Sequence, residues 1–103
     1  MSSERDCKEY SSKNITATEL LDHHSLELAN ITPRANSSNG QISVYDGVDT
    51  NGEKKLGLKL AKNTSSPFAF NPHVYFRIGL YIVFENNIDD CFVQWRLRPH
   101  GEG

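Results

Sequence analysis

Two runs of alternating residues constrain this chain most. Between Lys55 and Lys62, Leu56, Leu58 and Leu60 fall on one side and Lys55, Gly57 and Lys59 on the other. Near the C-terminus, Cys91, Val93, Trp95 and Leu97 alternate with Phe92, Gln94, Arg96 and Arg98. Side chains repeat every two residues only along an extended backbone, so each run predicts a strand with one face toward a core. The period outweighs leucine's preference for helix. No helical stripe is sustained elsewhere, and no internal repeat is present.

The remaining strands follow from the same reasoning with weaker signals. Residues 25–32 alternate through Leu26 and Leu28, and Pro33 is expected to end that strand because it donates no ladder hydrogen bond. Ile42 and Val44 mark a strand over residues 41–45. Asn39-Gly40 before it reads as a hairpin turn, since both residue types tolerate positive φ. Asp46-Gly47 and Asn51-Gly52 punctuate a polar loop. Residues 63–72 read as a loop carrying Phe68 and Phe70, followed by a short strand at 74–76 and a turn at Arg77-Ile78-Gly79. Residues 80–85 are apolar on both faces and read as a central, covered strand. Residues 86–90 read as a connection. Residues 16–24 suggest a short helical turn capped by Thr18. With turn signals every 8–12 residues, the pattern predicts an all-β fold. It is a small antiparallel β-sandwich or barrel of about six to seven strands with an N-terminal arm.

The chain of 103 residues suits one domain. The reading divides it into a polar arm at 1–14, a β-sandwich at 15–98 and a polar tail at 99–103. A hydrophobic fraction of 37% with 23% charged residues fits a folded globule rather than a disordered chain. The apolar stretch from Ile78 to Phe84 is far short of the roughly 20 residues of a membrane helix. Residues 1–13 lack the apolar core of a signal peptide. Cys7 and Cys91 are too few for a disulfide framework and read as free thiols in a reducing compartment. Asn14, Asn30, Asn36 and Asn63 begin glycosylation sequons, which without a secretory signal read as chance matches.

Net charge is −2, so no general basic field is present to hold nucleic acid. Lys54, Lys55, Lys59 and Lys62 cluster, with a solvated strand face as the default. His23 and His24 are adjacent, and adjacent residues on a strand do not converge on one metal. Asp46, Asp49, Asn51 and Glu53 make an oxygen-rich loop. An EF-hand register with Gly52 as the loop glycine puts Gly47 where the first carboxylate belongs, so turn chemistry is the expectation. Asp89-Asp90 falls on an expected turn, where solvation explains it. No nucleophile motif, phosphate loop or CxxC occurs. The expectation is therefore no enzyme, no catalytic or cofactor residue, no metal site and no cofactor. Tyr45, Phe68, Phe70, Tyr75, Phe76, Tyr81, Phe84, Phe92 and Trp95 are expected mostly in the core. One left outside could stack a sugar or anchor a protein contact.

Ile42-Ser43-Val44-Tyr45-Asp46-Gly47, the Asp49-to-Lys54 loop and Phe76-Arg77-Ile78-Gly79-Leu80-Tyr81-Ile82 together carry a resemblance. Over roughly residues 40–97 the chain resembles small virion-associated proteins of tailed bacteriophages. These pair an "I-x-V-Y-D-G" strand with a "D-x-N-G-x-K" loop and a later "F-x-x-G-L-Y-I" strand. The resemblance implies a non-enzymatic β-sandwich that decorates or joins the virion at capsid, neck or tail. Its implied partners are other virion proteins and further copies of itself, without membrane or nucleic acid. Its implied location is the virion, after assembly in the host cytoplasm. The alternative is a carbohydrate- or receptor-binding β-sandwich module.

Overall fold

The computed structural model describes residues 10–97, which form eight β-strands and no helix. They are β1 (Ser11–Ile15), β2 (Glu19–Asp22), β3 (Leu26–Ala35), β4 (Gly40–Asp46), β5 (Glu53–Leu60), β6 (Phe68–Phe76), β7 (Leu80–Asn86) and β8 (Ile88–Leu97). Two four-stranded sheets result, ordered β1-β8-β3-β6 and β2-β7-β4-β5. All pairings are antiparallel. This is the strand order of a jelly roll, two sheets wound together as a pair of Greek keys.

The alternating runs do what their period requires. In β8, Cys91, Val93 and Trp95 are buried and Phe92 is exposed. In β5, Leu60 is buried, while Leu56 and Leu58 pack against the core from a half-buried position at the edge of their sheet. Leu26, Leu28 and Ile31 of β3 meet Ile42 and Val44 of β4 and Leu80 and Ile82 of β7 in one cluster between the sheets. Of the aromatics, Phe76 and Trp95 are buried, and Phe68, Phe70 and Phe84 pack around them.

Several local expectations are corrected. Residues 16–24 hold strand β2, not a helical turn. Four residues cannot sustain a helix alone, whereas β7 offers Glu19 and Leu20 a ladder through Ile82 and Tyr81. The Thr18 hydroxyl, expected to cap a helix, instead accepts the Phe84 N–H at 2.9 Å. Asn39-Gly40 is not a hairpin turn, because β3 and β4 lie in different sheets. A β-carbon on Gly40 would stand 2.7 Å from Ile88 Cδ1, so close packing explains this glycine. Among the described strands only β4 and β5 are both consecutive and paired, through the loop holding Asn51-Gly52.

Pro33 does not end β3, which continues to Ala35 opposite β8. The Pro33 carbonyl accepts from Ser66 and the Ala35 N–H donates to Thr64. The side of β3 that lacks a donor at Pro33 therefore faces loop 61–67, beyond the start of β6, and the β8 ladder is spared. Residues 68–72, expected as loop, belong to β6. Pairing jumps from Leu28–Val74 to Asn30–Ala69, and the segment between them bulges with Pro72 inside it. β6 is an edge strand, where a proline is tolerated.

The connection expected over residues 86–90 shrinks to Asn87, whose φ of 55° turns the chain from one sheet to the other. Asp89 and Asp90 therefore sit on β8, and Asp90 accepts from Arg34 at 2.8 Å. β7 is interior to its sheet but covered on one face only. Leu80 and Ile82 are buried, and Tyr81 and Val83 are half-buried on the outside. Of the segment expected as an arm, Ser11–Asn14 are the first residues of β1, paired to β8. Residues 1–9, including Cys7, and the tail from residue 98 lie outside the described residues.

Cys91 faces inward opposite Pro33 and is fully buried. Burial, and next the Asp90 charge, push its thiol up to about 12, against a smaller opposing hydrogen bond from Thr32. A thiol so placed is neither ionised nor accessible. Cys91 is expected to resist iodoacetamide in the folded chain and to label fully in urea, read by peptide mass spectrometry. Labelling at equal rates in both states would contradict the packing.

Candidate interaction surfaces

The two sequence motifs meet at one end of the sandwich. Asp46, which closes β4, turns its carboxylate onto the turn between β6 and β7. Its Oδ2 accepts the Arg77 N–H at 3.0 Å; its Oδ1 accepts those of Ile78 at 2.8 Å and Gly79 at 3.3 Å. The Gly47 N–H donates to the Gly79 carbonyl at 3.2 Å. A β-carbon on Gly79 would lie 2.7 Å from the Gly47 carbonyl oxygen and 2.8 Å from that of Asp22, so only glycine fits. Burial pushes the Asp46 carboxyl up. The three backbone N–H groups and the Lys55 charge outweigh this, and the net position is below the ordinary carboxylate value.

Within the oxygen-rich loop, Asp46 and Asp49 bond backbone N–H groups. Both Asp46 oxygens are committed to backbone donors. Asp49 folds on its own loop, accepting the Asn51 N–H on its side chain at 2.9 Å and the Gly52 N–H on its carbonyl at 3.2 Å. The loop carries turn chemistry, as its residue types predict.

The histidine pair stacks face to face, with ring centroids 4.6 Å apart. His24 Nδ1–H donates to Asp22 Oδ1 at 2.6 Å, and Asp22 Oδ2 accepts the Trp95 indole N–H at 3.1 Å. Asp22 thus links β2 of one sheet to β8 of the other. Among the described residues, no three His, Cys, Asp or Glu side chains converge as a metal-binding group.

The outer faces of the two sheets differ. On the β1-β8-β3-β6 face the polar side chains satisfy one another. Arg34 bonds Asp90 at 2.8 Å, Asn30 bonds Gln94 at 2.7 Å and Arg96 bonds Glu27 at 3.0 Å. Tyr10 lies under the Arg96 guanidinium at 5.4 Å and donates its hydroxyl hydrogen to His73 Nε2 at 2.8 Å. His73 Nδ1–H donates to the Phe70 carbonyl at 2.9 Å, the tautomer in which a neutral ring accepts at Nε2. Between Glu27, Pro72, His73, Tyr75 and Arg96 lies an open cleft of about 420 Å³.

The β2-β7-β4-β5 face is built otherwise. Ile42 and Val44 point inward, which sends Gln41, Ser43 and Tyr45 outward. Register places Tyr45 beside Tyr81 and Lys54, and Ser43 between Val83 and Gly57. None of Gln41, Ser43, Tyr45, Lys54, Lys59 or Tyr81 makes a side-chain hydrogen bond or ion pair among the described residues. Sequence reasoning missed this surface. The alternation marks Ser43, Tyr45 and Tyr81 as outward, but only register brings them together. The large exposed apolar side chains, Tyr10, Val48, Ile78 and Phe92, lie elsewhere, on loops or on the opposite sheet.

No protein-family model, curated protein or solved structure matches this chain. Its geometry therefore carries the functional reading.

Proposed function

We propose that the chain is a non-enzymatic structural virion protein of a tailed phage, which decorates or joins the capsid, neck or tail through protein contacts and acts in several copies. The observation that carries this reading is the convergence of its two recognisable motifs on one lock. Tyr45-Asp46-Gly47 and Arg77-Ile78-Gly79 hold each other through four hydrogen bonds. Their residue types are needed for folding, not for chemistry on a substrate. A motif pair of this kind fits a protein whose work is to hold a shape.

The jelly-roll strand order adds support, because capsid domains commonly use it. Lectins use it too, so the fold by itself does not choose between them. Val48 and Ile78, half exposed at 50% and 52%, stand on the two locked loops and offer a rigid apolar contact at one tip. Repeated weak contacts from many copies would supply binding strength without one strong site.

The test is mass spectrometry of density-purified particles of the phage whose genome encodes this chain. The chain should remain at a constant ratio to the major capsid protein through repeated washing. Its loss from intact particles, or its absence from them, would refute the proposal.

A further inference from the structure

We infer that the outer face of the β2-β7-β4-β5 sheet is a binding site for an acidic oligosaccharide. The inference goes beyond the structural role and does not depend on it.

The first support is unused hydrogen-bonding capacity on a rigid surface. Across the opposite sheet, acids, amides and bases neutralise one another in cross-strand pairs. Here Gln41, Tyr45, Tyr81, Lys54 and Lys59 have no such partner among the described residues. Solvent can serve those. Ser43 differs from them, because its residue has 0% exposure and its hydroxyl has no partner among the described residues. A buried hydroxyl left unpaired on an outer sheet face calls for an unseen partner. Gly57 stands opposite it in the register, and the Lys54 side chain lies across the space a β-carbon there would take.

The second support is the kind of group the face can hold. Tyr45 and Tyr81 are cross-strand neighbours, half-buried on the pleated surface. Two adjacent phenol rings offer apolar area to the C–H faces of a sugar and hydroxyls to its polar rim. Where β4 begins and β5 ends, an open depression of about 480 Å³ is lined by Asn39, Gly40, Gln41, Lys59, Leu60, Ala61 and Asn86.

The third support is charge, which selects the acidic class. Lys54 folds back over Gly57, its Cε and Nζ lying 3.3 and 3.5 Å from where a β-carbon there would be. The Lys54 ammonium thus lies over Gly57, the residue opposite Ser43. Lys59 adds a second cation at the cleft. Glu85 is exposed on β7, in the irregularity opposite Gln41 and Ile42. A carboxylated sugar would give these lysines charge-assisted hydrogen bonds. Two lysines on a chain of net charge −2 make a poor counterion for a polyphosphate strand. The exposed apolar side chains that a protein partner would need lie on other surfaces.

The experiment is a nitrogen-15 NMR titration of the full chain with tetragalacturonate, a hyaluronan tetrasaccharide and sialyllactose. Cellotetraose and a hexathymidylate serve as comparators. At least one acidic sugar should shift the amides of Gln41, Ser43, Tyr45, Lys54, Gly57 and Tyr81, leaving those of Asn30, Thr32 and Gln94 unmoved. Combining Lys54→Gln with Lys59→Gln should weaken binding by about tenfold or more with an unchanged melting midpoint. Tyr81→Phe should keep the fold and weaken binding less. The inference is overturned if no acidic sugar shifts these residues at millimolar concentration. It is equally overturned if cellotetraose binds as well, if the lysine variant binds unchanged, or if hexathymidylate binds this face more tightly than every sugar. Particle retention in the virion test can succeed or fail whichever result is found.

Discussion

Asp46→Ala is expected to destabilise the fold by about 2–4 kcal/mol, because it strips the acceptor from three N–H groups at once, the buried Gly79 donor costing about 1–3 kcal/mol and the part-buried Arg77 and Ile78 donors less. In a domain of this size such a loss lowers the melting midpoint by roughly 10–25 °C. Asp46→Asn keeps one acceptor oxygen and should cost roughly half as much, about 1–2 kcal/mol. Calorimetry of both variants reads the difference. An alanine variant within about 0.5 kcal/mol of the parent would show that the lock is not a stability element.

Asp46 also gives its contribution a pH signature. Its folded-state pKa lies below the ordinary value near 3.8, so the unfolded chain takes up the proton more readily. The stabilisation is complete above that ordinary value and is lost as the pH falls through the lower, folded-state value. The parent should therefore lose more stability between about pH 6 and pH 3 than Asp46→Asn does. Urea midpoints at the two pH values measure this. Parallel losses would mean that other carboxylates govern the acid limb.

Phe76→Ala should cost about 3–5 kcal/mol, the usual range for removing a fully buried phenylalanine. Phe76 has 0% exposure, ends β6 opposite Leu26 and is the largest fully buried side chain. The matching change at Phe92, which is 40% exposed on the outer face of β8, should cost under about 1 kcal/mol. Urea unfolding of the two variants separates the inside from the outside of the same sandwich. Equal costs would contradict the assignment of faces.

How much could be read in advance depended on where each strand sits. β5 and β8 were legible because each has one face on the core, and burial imposes its period of two on the residue types. β1 was not legible. Of Ser11–Ile15 only Ile15 is buried, and the strand exists because β8 offers an edge to pair with. β2 was misread for the same reason, since its four residues carry too little pattern to oppose a local helix signal. The ends of β3 and the start of β6 were misjudged because a proline's meaning depends on which side its missing donor faces. Local sequence does not state that.

The candidate surfaces divide in the same way. The oxygen-rich loop at Asp46 to Glu53 was correctly read as turn chemistry, since Asp, Asn and Gly favour turns wherever they occur. What Asp46 caps could not be read, because its partners at Arg77 to Gly79 lie 31 to 33 positions away. The Tyr45–Tyr81 pair and the enclosed Ser43 likewise arise from register between strands far apart in the chain.

By itself, then, the sequence determined the all-β class, the inward faces of its best strands and the turn character of its Gly-containing loops. Those follow from backbone geometry and from the cost of burying polar groups, which act over a few residues. Only the tertiary structure decided the jelly-roll order, the lock between the two motifs and the contrast between a closed polar face and an open one. These depend on which strands pair and in what register, and that choice minimises free energy over the whole chain at once.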